Sequence, residues 1–422
     1  MGTSNNKLSK RRALEKAAFA EGDFQEFEKE GYLKAYAARI LKNDYRLASA
    51  LELIEEFPVI EKIKNKLSMG QLADAQKMLS EIKDKMSEED DIGEVKLEAC
   101  RLAFFSGDFE ASIKEGSECI QLSLSGPTKM AAYQVRANAF FELGKFEQCK
   151  SDLDSVSLLA KLYPFSPVIF YSDTAKVRLW ARTRSPEYAF EKLKALFNQR
   201  QRAGQVNLDV LLTYLRVKID ILRLQKEDFY PEAAACFLIA NSMGDQLYAG
   251  LSLLDIWTSV NAKQKKTLAP HLEAARRDFS RVDRFARETE DGSDSKCVLS
   301  QGINDFMKTS MKFPDRKDVY PILDAQFDCI FIEEHSLWVQ LRKQKLYFMS
   351  VRPQINSAVN ILRKGPISKE NFFKKLWGQN EFHSLNHDNL IRTLLSRIRT
   401  ETKLNIVSRA GKIHLNDEVI II

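Results

Sequence analysis

LGKFEQCKSDL, residues 143–153, decides how most of this 422-residue chain is read. A glycine ends one helix because it accepts the left-handed backbone that a tight turn needs. Two positions later Phe146 offers an apolar side chain to the turn. Three positions further on, Cys149 is small enough for the second helix to approach the first. The pattern returns as MGQLADAQKML (69–79) and SGDFEASIKEG (106–116), so that Gly70, Gly107 and Gly144 are spaced by 37 residues. Leu72 and Phe109 take the apolar place, and Ala75 and Ser112 the small one. EGDFQEF around Gly22 is a looser copy out of phase, and RSPEYAFEKL around Tyr188 reads as a further one.

On either side, apolar residues recur at intervals of three and four, as in KMAAYQVRANAFFELG and LDVLLTYLRVKIDILRLQ. Nothing before Lys312 alternates strand with helix, which argues against a nucleotide-binding sheet. A single helix pair cannot bury its apolar face, so such units are expected to stack. The Gly144 unit resembles the tetratricopeptide repeat: Tyr133, Ala137, Phe140, Gly144, Phe146 and Cys149 stand where that family places its aromatic and small residues. The likeness is degenerate, with a longer spacing than the usual ~34 residues and no closing proline. It is clearest over 55–160, and continued helical periodicity carries it to about 310. It implies an α-solenoid whose concave face binds a protein, a peptide or a sibling subunit.

The character changes near residues 287–320. RETEDGSDSK is polar and MKFPDRKDVYP holds two prolines, so these segments are expected to be loop around one short helix, CVLSQGINDFMK. Residues 1–310 are therefore assigned to the helical repeats, 311–323 to a linker and 324–422 to a second, α+β domain. In that domain FDCIFIEE, SLWVQLRK and KLYFMSV are rich in aromatic and β-branched residues and read as strands. INSAVNILRKG reads as a helix, and so does SKENFFKKLWG, with Ser368 as its N-cap and Gly378 at its end. A polar loop, QNEFHSLN, leads to a third helix, HDNLIRTLLSRIRTE (387–401), and NIVSRAGKIHL reads as strand, turn, strand with Ala410-Gly411 at the tip.

Strands, three helices and a terminal hairpin predict a winged helix-turn-helix. The residues resemble the effector domain of OmpR/PhoB-type response regulators over about 326–416. The likeness rests on Trp377-Gly378, on Ser396-Arg397-Ile398-Arg399 in the third helix, and on the basic turn Arg409–Lys412. The wing departs from the pattern, with Ala410, Lys412 and Ile413 where glycines and a tyrosine are usual. The receiver domain of that family has no counterpart upstream, so control by aspartyl phosphorylation within the chain is not expected.

On the third helix Ile391, Leu394, Leu395 and Ile398 form an apolar stripe. Asn389, Arg392, Thr393, Ser396, Arg397, Arg399, Thr400 and Lys403 remain outside it. The resemblance implies that this outer face enters a major groove. Arginine's planar fork suits a guanine edge, while Arg399 and Lys403 suit phosphates. Arg409 and Lys412 would reach the flanking backbone or minor groove from the wing. Between His387 and Lys412 there are six basic and two acidic residues, a local excess above that of a chain whose total charge is +6.

The remaining signals are negative. Six widely spaced cysteines read as reduced core residues of a reducing compartment. No stretch of about 18 apolar residues offers a membrane span, and the basic N-terminus lacks the apolar core of a signal peptide. His383 and His387 lie four apart, the first in the expected loop QNEFHSLN, and no metal site is expected. No nucleotide, hydrolase or metalloprotease motif occurs. The chain thus reads as a cytoplasmic transcriptional regulator, without catalysis or cofactor, that binds duplex DNA under control of a partner on its repeats. The alternative is a scaffold or assembly subunit that uses both parts for protein contacts, as PCI-type subunits do.

Overall fold

Leu72, Phe109 and Phe146, the apolar residues placed after the three glycines, each open a helix. The computed structural model describes residues 59–83, 92–164, 166–290, 297–309, 313, 316, 319–323, 329–332, 337–341, 345–348, 353–362, 365–379, 381–402, 404–409, 411–415 and 419–421. The looser copy around Gly22 lies outside them. Helices α1 (Val59–Ser68) and α2 (Leu72–Lys83) meet at Gly70. Helices α3 (Ile92–Ser106) and α4 (Phe109–Leu122) meet at Gly107, and α5 (Gly126–Glu142) and α6 (Phe146–Ala160) at Gly144.

The three glycines have φ of 74°, 82° and 69°. Each turn closes with the same pair of backbone bonds. Gly70 donates to Leu67 and Gln71 to Lys66; Gly107 to Phe104 and Asp108 to Ala103; Gly144 to Phe141 and Lys145 to Phe140. This is the Schellman arrangement, which satisfies carbonyls that a helix end would otherwise leave open. The small residues Ala75, Ser112 and Cys149 are completely buried. At the second turn the approach is close enough for two reciprocal contacts. Ser112 Oγ donates to the Cys100 carbonyl at 3.0 Å, and Cys100 Sγ donates to the Ser112 carbonyl at 3.2 Å.

The helices continue as α7 (Val168–Thr183), α8 (Pro186–Arg202), α9 (Leu208–Gln225), α10 (Tyr230–Met243), α11 (Gln246–Thr258), α12 (Ala262–Asp278), α13 (Ser280–Glu290) and α14 (Val298–Met307). From α1 to α9, neighbours pack on one another, and several helices also touch the next but one. The segment around Tyr188 is built differently from the glycine turns. Ser185 caps α8 by accepting from the Tyr188 amide at 3.1 Å, Pro186 occupies the first turn, and no left-handed residue is used. Later helices fold back: α13 packs on α3, and α14 on α5 and α9. Residues 287–290, expected as loop, extend α13, because Phe285 and Ala286 are buried and hold that turn. Cys100, Cys119, Cys149, Cys236 and Cys297 are buried thiols that form no disulfide. Burial pushes the Cys100 thiol up to about 11, and those of Cys149 and Cys297 to about 12, so each stays a protonated core group.

The chain divides into two compact units, one running to Asp315 and the other from Arg316 onward together with Phe237–Ser242. Within the expected linker a short helix, α15 (Val319–Leu323), forms around buried Val319 and Ile322. The second unit is α+β. Strands β1 (Cys329–Ile332), β2 (Leu337–Gln340) and β3 (Lys345–Phe348) stand where alternation predicts them. Ile330 pairs with Val339 and Ile332 with Leu337, all four buried, which pins the register. After helices α16 (Pro353–Leu362), α17 (Lys369–Trp377) and α18 (Ser384–Thr402) comes the hairpin β5 (Ile406–Arg409) and β6 (Lys412–Leu415).

Two strands were not foreseen. β4 (Ile367–Ser368) pairs with β6, giving a three-stranded sheet of order β4-β6-β5. β7 (Val419–Ile421) lies parallel to β1 and completes a four-stranded sheet of order β3-β2-β1-β7. The core beneath α18 joins Ile355, Val359 and Leu362 of α16, Phe372 and Phe373 of α17, and Ile406 and Ile413 of the hairpin. Among the described residues no helix is long and apolar enough to cross a membrane.

Candidate nucleic-acid interface

Helix α18 starts three residues earlier than expected, at Ser384, and takes up part of the anticipated loop. Local chemistry explains the shift. The His383 amide, just before the helix, donates to His387 Nδ1 at 3.0 Å, so a side chain one turn inside caps the helix start. The His387 ring is fixed for this by stacking on Phe373 with centroids 4.0 Å apart. Phe373 in turn stacks on Trp377 and meets Phe382 edge-on. This aromatic group places the preceding helix against the start of α18. Helix α17 is itself bounded as expected: Ser368 Oγ accepts from the Asn371 amide at 3.2 Å, and Gly378 ends it with φ of 67°.

At about 100° per residue, α18 presents two opposite faces. Ile391, Leu394, Leu395 and Ile398 are buried in the core. Asn389, Arg392, Thr393, Ser396, Arg397, Arg399 and Thr400 are all exposed. Lys403 lies outside the described residues. The structure therefore brings seven of the eight helix positions onto one exposed face. Of the two hairpin residues, Lys412 is exposed on β6. Arg409 has its backbone in β5, opposite Lys412, and its side chain falls outside the description. The turn between them uses Gly411 with φ of 73°.

The exposed arginines are not equivalent. Arg399 directs Nε and Nη2 to the Ile406 carbonyl, at 3.1 and 2.8 Å, and so braces the end of α18 against the hairpin. That fork was assigned to a phosphate; two of its donors are occupied by the fold. Arg392 reaches Asp388 one turn back at 3.4 Å, and Lys369 binds the same carboxylate at 2.7 Å. The hydrogen bond from Lys369 holds the Asp388 carboxyl below its ordinary range. Asp388 thus fixes the first helical turn of α17 to the first turns of α18. Arg397 has no ion-pair partner among the described residues. Thr400 Oγ1 donates to the Ser396 carbonyl of its own helix at 3.0 Å.

The chemistry available is that of a polar, cationic face. Guanidinium groups, a threonine and a serine stand on a rigid helix, with a lysine on the neighbouring hairpin. Such a face can donate hydrogen bonds to phosphates or base edges. Sequence reading missed Asp388 and His387 as the groups that set this face, and the bracing role of Arg399. The Asp388–Arg392 pair at i,i+4 was legible as helix spacing; the contacts to Lys369, Phe373 and Ile406 depend on the fold. No group of three or more His, Cys, Asp or Glu residues able to hold a metal occurs among the described residues. Comparison with family models, with curated proteins and with solved structures returns no match.

Proposed function

We propose that this chain is a DNA-binding transcriptional regulator whose second unit is a winged helix-turn-helix of OmpR/PhoB-like type. In this reading α18 is the recognition helix, Arg392, Thr393, Ser396 and Arg397 address the groove, and Lys412 reaches flanking phosphate from the hairpin. The observation that carries it is the division of α18 into a fully buried apolar face and an exposed face of arginines and hydroxyls. The helical unit is read as a degenerate tetratricopeptide-like solenoid that holds a protein or peptide partner, or a second copy of the chain. The three identical glycine turns support that reading.

A second reading, a scaffold that does not bind DNA, draws on one observation. Leu390 is 51% exposed on α18 beside the polar face, which suits a protein contact. Capture of genomic duplex fragments by the intact protein separates the two. The regulator should enrich a defined set of sequences, and the double charge reversal Arg392→Glu, Arg397→Glu should abolish enrichment with the circular dichroism spectrum unchanged. Recovery of no sequence above background, together with loss of a protein complex in the same variant, would establish the scaffold.

A further inference from the structure

The turn between α7 and α8 gathers aromatic rings and positive charge at one exposed place. Arg184 ends α7, its amide donating to the Trp180 carbonyl at 2.8 Å. Ser185 then caps α8 through the Tyr188 amide. This geometry brings two rings together across the turn: Trp180 and Tyr188 meet nearly edge-on, at 70°, with centroids 5.7 Å apart. The Arg184 guanidinium lies over both, 5.6 Å from the Trp180 ring and 5.1 Å from that of Tyr188. Lys192, one helical turn beyond Tyr188, places its ammonium 5.3 Å from the same tyrosine ring. Two cations therefore accompany one ring. Arg184 and Lys192 are exposed, and Trp180 and Tyr188 are half-buried.

The acidic residues of α8 are engaged elsewhere. Glu191 pairs with Lys194 at 2.8 Å, and Glu187 accepts from Gln225 at 3.4 Å. Among the described residues neither Arg184 nor Lys192 has a carboxylate within ion-pair distance. From Arg182 to Arg202 the sequence holds six basic and two acidic residues, a local excess of positive charge. Ring contact restrains the Arg184 guanidinium but gives its N–H groups no oxygen. Donors already held in place lose little freedom when a ligand engages them. Tryptophan, tyrosine and arginine are also the side chains that carry most binding energy at protein interfaces.

Two observations select the partner. The rings are nearly perpendicular and carry cations, an arrangement that offers no parallel platform for the successive bases of a single strand. Glu187 and Glu191 stand exposed on the same helix and interrupt the positive charge that a phosphate backbone would follow. We propose that this patch docks an acidic peptide segment of a protein partner. One carboxylate takes the Arg184 fork, a second acidic group faces Lys192, and a neighbouring apolar side chain packs on the exposed parts of Trp180 and Tyr188. The inference rests on the reading of the helical unit as the holder of a protein or peptide partner, and it supplies the chemistry of what is held.

Fluorescence anisotropy of the intact chain tests this with labelled peptides of equal length. One is rich in glutamate around a central phenylalanine and leucine; in the others lysine or glutamine replaces glutamate. A labelled oligothymidylate is the fourth probe. The acidic peptide is expected to bind saturably, at least about tenfold more tightly than the other two. The double variant Arg184→Glu, Lys192→Glu changes exposed positions only. It should lose at least about tenfold in affinity for that peptide, with an unchanged circular dichroism spectrum. Arg184→Lys keeps the charge but not the fork, and its affinity should fall between those of the wild type and the double variant. Acidic-peptide binding that the double variant leaves intact, or tighter binding of the lysine or glutamine peptide, would overturn the proposal and leave the peptide-holding reading standing. Binding of no peptide would overturn both. Oligothymidylate bound more tightly than the acidic peptide, and lost in the double variant, would make the patch a nucleic-acid site and overturn the proposal.

Discussion

Arginine is used in opposite ways in the two units. In the helical unit Arg223 is buried, 2% exposed, and shares Asp220 and Asp255 with Arg178 and Arg216. In the second unit Arg392 is 72% exposed and reaches one carboxylate a turn away. Both lie on amphipathic helices, and in the sequence both look like the polar side of a stripe. The difference is what satisfies the donors of each fork. Inside, fixed carboxylates do so, and the residue is part of the fold. Outside, water does so until something else arrives, and the residue is free to bind. Arg399 stands between the cases, exposed but already bonded to the Ile406 carbonyl.

The sharpest way to break this contrast is to remove the carboxylate that joins two interior arginines. Asp255→Ala leaves buried Arg223 and half-buried Arg216 without it, and unfolding free energy should fall by about 3–5 kcal/mol in urea titrations. A loss no larger than that of a surface substitution would show that these arginines reach water after all.

Asp245 probes the same interior through pH. It caps α11 by accepting from the Tyr248 amide at 3.0 Å, and burial pushes its carboxyl up to about 8. A raised value means that the folded protein holds the proton more tightly than the unfolded chain does. The stability it contributes is complete below pH ~4 and is lost as pH rises through ~8. Asp245→Asn keeps a good cap and stays neutral. The variant should match the wild type near pH 4 and exceed it increasingly toward pH 8, as measured by urea midpoints. Parallel pH profiles would contradict the burial argument.

Smaller effects sharpen the comparison in the second unit. Arg399→Ala removes two hydrogen bonds to one carbonyl and should cost about 1 kcal/mol. Arg397→Ala, at an exposed position, should change stability by less than about 0.5 kcal/mol. If the two substitutions proved equal, Arg399 would not be a brace.

The sequence exposes most of the α18 pattern because the relevant contacts are local in period. Ile391, Leu394, Leu395 and Ile398 mark the buried face by spacing alone. The glycine turns are legible for the same reason: Gly70, Gly107 and Gly144 carry a conformational signal that a single residue encodes. Three things were not legible. β7 joins β1 only after the helices and hairpin have been laid down between them, so its partner cannot be read from its neighbours. β4 is two residues long, too short to show alternation. The arginines of α9 look solvated in LDVLLTYLRVKIDILRLQ because the elements that cover them, Asp255 on α11 and helix α14, return from far along the chain. Hydrophobic periodicity records which side of a helix is polar. It does not record whether another helix will cover that side.

The central claim, that the exposed arginines of α18 are free to bind where the interior ones are not, is tested most directly by salt titration of duplex binding. The intact chain and its Arg397→Glu variant are compared on one mixed-sequence fragment from low to moderate salt. The expected result is a linear fall of log Kobs with log salt for the wild type, with affinity reduced at least about tenfold in the variant at every salt concentration. Absence of binding by the wild type at low salt, or equal affinity of the two proteins, would contradict it.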